Sequence, residues 1–542
     1  MNSTPDSASF DYIIVGGGSA GCVLANRLSE DPGVSVCLIE AGGTDFGLAE
    51  KILTRVPAAI PFLLMNPKYN WGHKFEKDPH LGGRELLMPR GRMLGGSSAL
   101  NGMIYVRGNR LDYDEWEALG NEGWGYRDVL PYFKKSENWH GPTSEYHGTG
   151  GELDVSLPRA PHPTSLNFVE AAEAMQCLRN DDVNGASQDG AGIMHMTQRK
   201  GERVSASRAF LHPIKARPNL KIMTDTRVDR IRFSGRKAIG VAAWDGAPRQ
   251  IDARREVILS AGSITSPHLL LLSGVGPAEH LQEHGIDLVH ALPGVGQSLQ
   301  DHINVSTFYG SNRKDLYSMS RRFMLGNALA PLKYLFFRKG PLTSNFLEAA
   351  AYVRSRPDLD RPDLQIIYGP GVFPLEGKVD DAGMRSGFTF NITFLQPLSR
   401  GRISLNSADP SAAPRIVGNV LSHQEEVDTL ARGMRWTRQL VSSGRLRIDD
   451  CVELPGTAAR ETEQQLRDYI MNMASTCLHP TSSCRMGTDD MAVVDHSLRV
   501  RGLDGIRIVD ASVMPRIPSG NTNAPTIMVA EKAADLIRKA WQ

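Results

Sequence analysis

The chain has 542 residues, which is enough for two or more domains with large cores. Its 61 basic and 60 acidic side chains nearly cancel, so no overall field attracts nucleic acid or other polyanions. Six cysteines are scattered without C-x-x-C spacing, which excludes a zinc site of that type and a disulfide framework and is typical of reduced thiols in a cytosol.

The N-terminus predicts an intracellular protein. Residues 1–9 are polar and lack the basic and apolar regions of a secretion signal, and a glycine turn begins soon after them. No apolar run approaches the roughly 18 residues that cross a bilayer. We therefore expect a cytoplasmic location without a membrane-spanning segment.

The first structural signal is a complete dinucleotide-binding pattern. Apolar residues 10–15 predict a strand that enters G-x-G-x-x-G at Gly16, Gly18 and Gly21, and a helix is expected from Ser19 to Ser29. A second apolar run ends at Glu40, whose carboxylate is placed to accept hydrogen bonds from ribose hydroxyls. The backbone N–H groups at the N-terminus of this helix favour the binding of phosphate. The pattern predicts an adenine dinucleotide site.

The following segments are less regular. Residues 45–85 are rich in Pro, Asn and aromatic side chains and predict a long excursion across the surface. Residues 89–102 return to glycine and small side chains, which either allow close contact with a flat ligand or form a turn beside a helix start. Short runs between Leu220 and Ala261 predict the strands of a meander, and residues 262–272 predict an apolar helix.

Residues 305–400 have another character and predict a substrate domain. Within it, residues 321–325 and 332–339 are both basic and apolar. Such a pair either packs as cationic helices on the sheet, which we favour, or rests on a membrane surface and lines the way in for a hydrophobic substrate or quinone.

The C-terminal segments around His479, Asp510 and Asn521 complete a set of motifs. Together with the opening glycine turn and segments 90–108, 262–276, 300–302 and 397–401, they resemble the glucose-methanol-choline (GMC) family of FAD-dependent oxidoreductases. The resemblance covers nearly the whole chain and is closest to the choline dehydrogenase-like and bacterial alcohol dehydrogenase branch.

The resemblance implies an α/β fold with a Rossmann-like FAD-binding domain and a discontinuous substrate-binding domain built on an antiparallel sheet flanked by helices. On this basis the FAD-binding domain is expected at residues 1–155, 200–305 and 475–542, and the substrate-binding domain at 156–199 and 306–474.

The resemblance also implies the chemistry, in which flavin N5 takes a hydride from the carbinol carbon of a primary alcohol. His479 matches the base that removes the hydroxyl proton. Asn521 matches the second catalytic position and would orient the alkoxide, although a small shift of alignment would exchange it with Asn523. No metal is implied.

The residues that would contact FAD by this resemblance and by the glycine pattern form several short groups. They are Gly16, Gly18, Ser19, Ala20, Gly21, Glu40, Ala41, Arg92, Gly95, Gly96, Asn101, Gly102, Met103, Val228, Ala261, Gly262, Asp510, Ala511, Asn523, Pro525 and Thr526.

Two positions, Leu100 and Leu478, depart from some relatives. Leu100 stands where a histidine would attach the flavin covalently, so FAD is expected to bind non-covalently. Leu478 is not the aromatic residue that would help hold the ammonium group of choline, while Glu348 is either the carboxylate of such a site or a structural residue. We therefore expect a neutral, hydrophobic primary alcohol, with choline as the alternative.

Several alternatives share these motifs. A dehydrogenase that passes electrons to a quinone or another acceptor leads, and an alcohol oxidase that uses dioxygen and a hydroxynitrile lyase-type enzyme remain. The sequence assigns no oligomeric state.

Overall fold

The computed structural model describes residues 8–372, 386–454 and 462–541 and contains two large sheets, each with its own hydrophobic core. Its strands are β1 Ala8–Val15, β2 Val36–Ile39, β3 His73–Lys74, β4 Leu87–Met88, β5 Glu137–Trp139, β6 Leu153–Val155, β7 Gly190–Ile193, β8 Gln198–Arg199, β9 Glu202–Arg203, β10 Leu220–Met223, β11 Arg227–Ser234, β12 Lys237–Trp244, β13 Pro248–Leu259, β14 Val275–Gly276, β15 His290–Ala291, β16 Ile303–Gly310, β17 Ala349–Val353, β18 Leu364–Gly369, β19 Gly387–Phe394, β20 Arg402–Ser404, β21 Arg415–Val417, β22 Val452–Glu453, β23 Ser475–Thr476 and β24 Ile506–Ile508.

Helices cover both sheets and the connections between them. They are α1 Ser19–Leu28, α2 Leu48–Arg55, α3 Ile60–Leu64, α4 Arg110–Ala118, α5 Tyr126–Ser136, α6 Pro163–Ala174, α7 Gly262–Leu272, α8 Ala278–Glu283, α9 Arg321–Gly326, α10 Ala330–Phe337, α11 Gln424–Ser442, α12 Glu463–Met473 and α13 Asn523–Ala540.

The first sheet has the order β10-β2-β1-β13-β12-β11, with β24 also paired to β13. The pairs among β10, β2, β1, β13 and β24 are parallel, whereas β11, β12 and β13 form an antiparallel meander. The last five residues of β1 are buried, as expected for a central parallel strand covered by helices on both faces. Helix α1 packs on this sheet, α13 packs against α1, and α5 packs against α13. This is the predicted Rossmann-like unit.

The second sheet is antiparallel, with the order β22-β16-β19-β18-β17-β7 and β23 paired to β16. Helices α6 and α11 pack against it. The predicted fold class, an α/β unit joined to an antiparallel sheet flanked by helices, is confirmed. Strand β23 lies in this sheet although the sequence placed residues 475–542 with the cofactor domain.

One local prediction was wrong. Strand β10 was expected in the meander but lies at the opposite edge of the first sheet, paired with β2. The segment that precedes it, Ser207–Leu211, packs against α1 and leads the chain to that edge.

Residues 45–85, expected as a long excursion across the surface, contain the short helices α2 and α3. On these helices Leu48, Ile52 and Phe62 are exposed, as is Met65 directly after α3, whereas Leu63 is buried.

Candidate functional site

A cavity of about 410 Å³ opens at the carboxyl ends of the parallel strands. Each of four parallel strands ends next to a residue that lines the cavity. These residues are Gly16 after β1, Glu40 after β2, Ser260 after β13 and Asp510 two positions after β24. The opposite wall comes from β18 and β19 of the second sheet. Ligands of open α/β sheets bind at this edge.

The N-terminus of α1 forms one end of the cavity. Gly18, Ser19 and Ala20 line it, no side chain caps the helix, and its first turn carries no acidic residue. Gly16 has φ of 103°, and a Cβ at this position would lie 2.6 Å from the carbonyl oxygen of Ser260. Only glycine fits this turn, which leaves the helix amides open to an anion.

Glu40 lies beside this turn with both carboxylate oxygens engaged by backbone. The N–H groups of Gly17 and Gly42 each donate to one oxygen at 2.8 Å. Burial raises the pKa of Glu40 to about 7 even though these donors oppose the shift. Each oxygen retains a further lone pair, so the carboxyl group suits ribose hydroxyls.

Two further features fit a dinucleotide. The buried hydroxyl of Ser260 lines the cavity and has no hydrogen-bond partner among the described residues. A second uncapped helix, α13, begins at Asn523, whose side-chain oxygen accepts a hydrogen bond from Ser19 at 2.7 Å. Two helix N-termini therefore meet at one point of the cavity, where a pyrophosphate would neutralise both. The residues present fit FAD.

Most of the predicted cofactor residues line this cavity. They are Gly16, Gly18, Ser19, Ala20, Glu40, Ala41, Gly96, Asn101, Gly102, Met103, Val228, Ala261, Gly262, Asp510, Ala511, Asn523 and Thr526.

The other four do not line the cavity. Gly21 packs on the turn, since a Cβ there would lie 1.9 Å from the carbonyl oxygen of Gly16. Gly95 donates its N–H to the carbonyl of Gly17 at 2.8 Å, and Arg92 stacks on Trp71. Pro525 is buried within the first turn of α13. Gly21, Gly95 and Pro525 therefore support the glycine turn and the helix ends, whereas Arg92 is exposed beside Trp71.

Strand pairing in the second sheet brings two histidines together. His302 precedes β16, and His479 follows β23 after two residues. In the antiparallel pair of these strands Ile303 lies opposite Thr476, and the N–H of Cys477 donates to the carbonyl of His302 at 2.8 Å. The two Nδ1 atoms consequently lie 3.1 Å apart.

A chain of hydrogen bonds fixes the proton positions on both rings. His302 Nε2 lies 3.1 Å from the carbonyl oxygen of Leu395, which only accepts, so Nε2 carries the proton. Nδ1 of neutral His302 is then an acceptor, and His479 must donate to it from its own Nδ1–H. Nε2 of His479 is left with a free lone pair. It is the basic nitrogen of the site.

Asn521 occupies the other side of this lone pair. Its Nδ2 lies 3.1 Å from His479 Nε2, and its Oδ1 accepts from the Gln365 side chain at 3.3 Å. Gln365 also donates to the hydroxyl of Tyr352 on the neighbouring strand at 2.5 Å. Asn523, in contrast, contacts Ser19 at the start of α1. The structure thus separates the two asparagines that the sequence left exchangeable.

His479 is half-buried at the wall of the cavity, and loss of solvation sets its charge. Burial lowers the pKa of His479 well below the usual histidine range, and the neighbouring His302 and Arg90 add to this. Burial also lowers the pKa of His302 to about 4. Both rings are therefore neutral at physiological pH.

Asp301 and Arg90 hold the loop that carries the base. Asp301 accepts the N–H of His479 at 2.8 Å and the hydroxyl of Thr476, and burial raises its pKa to about 6. Arg90 donates to the carbonyl of Leu478 at 2.6 Å, and Leu478 itself has φ of 64°. Such left-handed conformations persist where surrounding contacts enforce them.

Near His479 the cavity is lined by the cationic Arg90 and by neutral side chains. Asn304, Gln365, Asn391 and Thr393 supply amides and a hydroxyl, and Ile367 is apolar. Oδ1 of Asn304 has no hydrogen-bond partner among the described residues. The carboxylates of the described lining, Glu40 and Asp510, both lie at the dinucleotide end.

Glu348 is not part of this lining and has a structural role. Its carboxylate accepts hydrogen bonds from the N–H of His162 at 2.6 Å and from the hydroxyls of Ser165 and Ser344 at 2.8 and 2.5 Å. It is fully buried in this network. The structure therefore resolves the two roles that the sequence left open for Glu348.

Sequence reasoning gave no role to His302, Asp301, Gln365 or Asn304. His302 and Asp301 belong to segment 300–302, which enters the sequence analysis only as part of the family resemblance. A signal was present, because a polar triplet at residues 300–302 stands directly before the apolar strand β16, and polar residues at strand ends often form sites.

A separate cluster of His147, Asp182 and His195 lies away from the cavity. Their ligand-type atoms lie within 4.8 Å of one another. His147 already bridges Glu137 and Asp182 with contacts of 3.0 Å on each ring nitrogen, and these carboxylates raise its pKa against the effect of burial. The arrangement is that of a protonated histidine in a buried ion pair. All six cysteines are unpaired.

No helix of the described ranges is long and apolar enough to cross a membrane.

The chain is similar to known oxidoreductases over nearly its whole length. The N-terminal and C-terminal models of the GMC oxidoreductase family match residues 10–304 and 397–530. An alcohol dehydrogenase [acceptor] from Pseudomonas putida is 44% identical over 97% of this chain and 95% of its own length. An oxygen-dependent choline dehydrogenase from Ectopseudomonas mendocina (strain ymp) is 42% identical over 98% of this chain and 94% of its own. The structure of an FAD-dependent oxidoreductase from Chaetomium thermophilum superposes with a TM-score of 0.88 at 27% identity, covering 98% of this chain and 99% of that one.

Proposed function

Because this chain belongs to the GMC oxidoreductase family, we propose that it is an FAD-dependent dehydrogenase that oxidises a neutral primary alcohol to an aldehyde and passes the electrons to a quinone or a similar acceptor. One observation carries the proposal. A neutral histidine presents an unprotonated Nε2 to the same cavity that holds a dinucleotide cradle.

The cradle at the two helix N-termini would hold the pyrophosphate of FAD, and Glu40 would hold a ribose. When bound, FAD supplies the acceptor for the hydride of the carbinol carbon. Leu100, which lines the cavity, has no nucleophilic atom, so it offers no covalent attachment at that position. We expect FAD to be held by non-covalent contacts.

His479 would take the hydroxyl proton of the alcohol at Nε2. Nδ1–H of its ring is held by His302, so the lone pair stays directed into the cavity. Asn521 already donates to this lone pair, and an alcohol oxygen that arrives between the two residues would receive the same amide hydrogen. The amide orients the oxygen, while the imidazole moves the proton.

The lining favours a neutral alcohol over choline. A quaternary ammonium group needs aromatic faces or a carboxylate nearby. The cavity lining near His479 includes no carboxylate in the described part of the chain. Asp301 does not line the cavity and is engaged by the backbone N–H of His479, and Glu348 is committed to the network around His162 and Ser165. Unmatched positive charge in such a site is costly.

The test is anaerobic stopped-flow reduction of the bound flavin by benzyl alcohol, a medium-chain alkanol and choline, followed by admission of air. Bleaching by the neutral alcohols with slow reoxidation in air is the expected result. Bleaching by choline alone would overturn the substrate class, fast reoxidation would make the protein an oxidase, and no bleaching would favour a lyase.

The role of the base is tested in the same assay. His479→Ala should keep FAD and lose at least about a hundredfold in the reduction rate, since a positioned base contributes roughly 100-fold or more. His423→Ala, at an exposed histidine before α11, is the matched control and should reduce normally. Equal rates in the two variants would remove His479 from the mechanism.

A further inference from the structure

Helices α9 and α10 place large apolar side chains in contact with water. Leu325, Phe336 and Phe337 are 78%, 70% and 65% exposed. Helix α9 buries none of its residues, and α10 buries only Ala330 and Tyr334. The expectation that these segments pack as cationic helices on the sheet was therefore wrong. Contiguous exposed patches of this kind mark interaction sites.

The patch continues onto α2 and α3. The Tyr334 hydroxyl on α10 donates to the carbonyl of Arg55 at the end of α2, at 3.3 Å, and the turn Pro57–Ala59 packs against the turn Pro341–Thr343. The combined region is called the exposed apolar surface. Its members are Leu48, Ile52, Phe62, Met65, Met324, Leu325, Leu329, Leu332, Leu335, Phe336 and Phe337.

This surface carries positive charge. Residues 318–340 contain five basic and no acidic side chains. Of these, Arg338 pairs with Glu202 at 2.9 Å, whereas Arg321, Arg322, Lys333 and Lys339 are exposed. These four form no ion pair with the described residues. Exposed apolar groups among cations suit an anionic lipid surface, where the chains enter the headgroup region and the cations meet phosphate.

A second copy of the chain would suit the surface less well. In a twofold contact the same patch meets itself, so unpaired cations would face cations. Like charges across an interface disfavour association. The charge pattern therefore favours lipid over self-association.

The exposed apolar surface borders the cavity. On α3, Ile60, Pro61 and Leu64 line the cavity, while Phe62 and the following Met65 are exposed. One short helix thus forms part of the cavity wall on one face and part of the exposed apolar surface on the other.

We propose that the exposed apolar surface docks on an anionic lipid bilayer and that an apolar alcohol dissolved there enters the cavity past α3. Access by the alcohol rests on the proposed alcohol oxidation, whereas docking does not. The two parts fail separately.

Docking is tested by co-sedimentation of the flavin-loaded protein with vesicles of phosphatidylcholine, with or without phosphatidylglycerol. We expect binding that requires phosphatidylglycerol and weakens with salt. The triple variant Leu325→Glu, Phe336→Glu and Phe337→Glu should lose at least tenfold in vesicle affinity. None of these residues lines the cavity.

The matched control carries three glutamates at exposed leucines elsewhere, as Leu157→Glu, Leu178→Glu and Leu288→Glu. This control should bind vesicles like the wild type, apart from any loss due to its three added negative charges. The variant Arg321→Gln, Arg322→Gln and Lys333→Gln changes the net charge by the same amount and keeps the apolar side chains, so it measures the effect of charge alone. Flavin content and thermal unfolding verify that all variants fold.

Turnover distinguishes the two parts of the proposal. A short dissolved alcohol should be oxidised equally by wild type and triple variant, while a long-chain alcohol carried in vesicles should be oxidised at least tenfold more slowly by the variant. No binding to anionic vesicles, or equal loss in the control, would overturn docking. A wild-type dimer in ultracentrifugation that the triple variant abolishes would assign the surface to a second copy. Vesicle binding without turnover of any alcohol would retain docking and reject the proposed function.

Discussion

Replacement of His302 tests whether this residue sets the tautomer of the base. His302 accepts Nδ1–H of His479 and donates from Nε2 to the carbonyl of Leu395, with both contacts at 3.1 Å. Gln reaches the position of Nε2 and keeps the second contact, while Asn reaches the position of Nδ1 and keeps the first. His302→Gln and His302→Asn thus divide the two functions of one ring.

The structure gives the expected magnitude. In His302→Gln, Nδ1–H of His479 loses its buried acceptor, and an unsatisfied buried donor costs about 1–3 kcal/mol. That cost favours the tautomer with the proton on Nε2, which cannot take a proton from the alcohol. A shift of about 1.4 kcal/mol lowers the base-competent fraction roughly tenfold. In His302→Asn the acceptor remains, so the rate should stay within about threefold of wild type while stability falls by about 1–3 kcal/mol through the unpaired carbonyl of Leu395.

The assay is the limiting rate of anaerobic flavin reduction across pH. Both neutral tautomers hold the same number of protons, so a loss that arises from tautomer redistribution is the same at every pH at which His479 is neutral. A loss confined to acid pH would instead report a changed pKa of the base. The reasoning is refuted if His302→Gln reduces at the wild-type rate, or if His302→Asn falls as far as His302→Gln.

Three further predictions use the same preparation. Gly16→Ala should lose FAD because its Cβ meets a backbone carbonyl at 2.6 Å, whereas Gly246→Ala, with a similar φ of 101° and no atom within 4 Å, should keep it; equal flavin content in the two would remove the steric argument. Asn521→Ala should slow flavin reduction with FAD retained, and Asn523→Ala should weaken FAD binding; reversed phenotypes would exchange their roles. Because the pKa of His479 is lowered well below 6.5, the base-competent neutral form persists as pH falls, so the limiting reduction rate should stay level through pH 6.5; a decline centred there would contradict the burial of the base.

Local sequence pattern was sufficient to predict the first elements of the Rossmann-like unit. Strand β1, the glycine turn, α1, β2 and the acid at Glu40 succeed one another within a short stretch, and each is dictated by neighbouring residues. The predicted helix α7 after β13 is present for the same reason. Parallel strands ending in glycine or an acid determine where the ligand edge lies.

The acid-base half depends on contacts that no local pattern contains. His302 and His479 are 177 residues apart and meet only because β16 and β23 pair in one register. Composition likewise could not decide whether α10 is buried, because a uniformly apolar helix has the same sequence pattern in a core and on a surface. The role of Glu348 depended on the hydroxyls that happen to surround it.

The placement of the asparagines has a consequence for substrate range. Asn521 faces the base and Asn523 begins α13, so a shift of this helix would disturb both the alcohol oxygen and the cofactor cradle. Changes of specificity without loss of FAD should therefore come from the opposite wall. Ile367 on β18 and Asn391 on β19 line the cavity there and contact neither helix N-terminus through a hydrogen bond in the described part of the chain. We therefore expect that changes of side-chain volume at these two positions alter the selection among alcohols without loss of FAD.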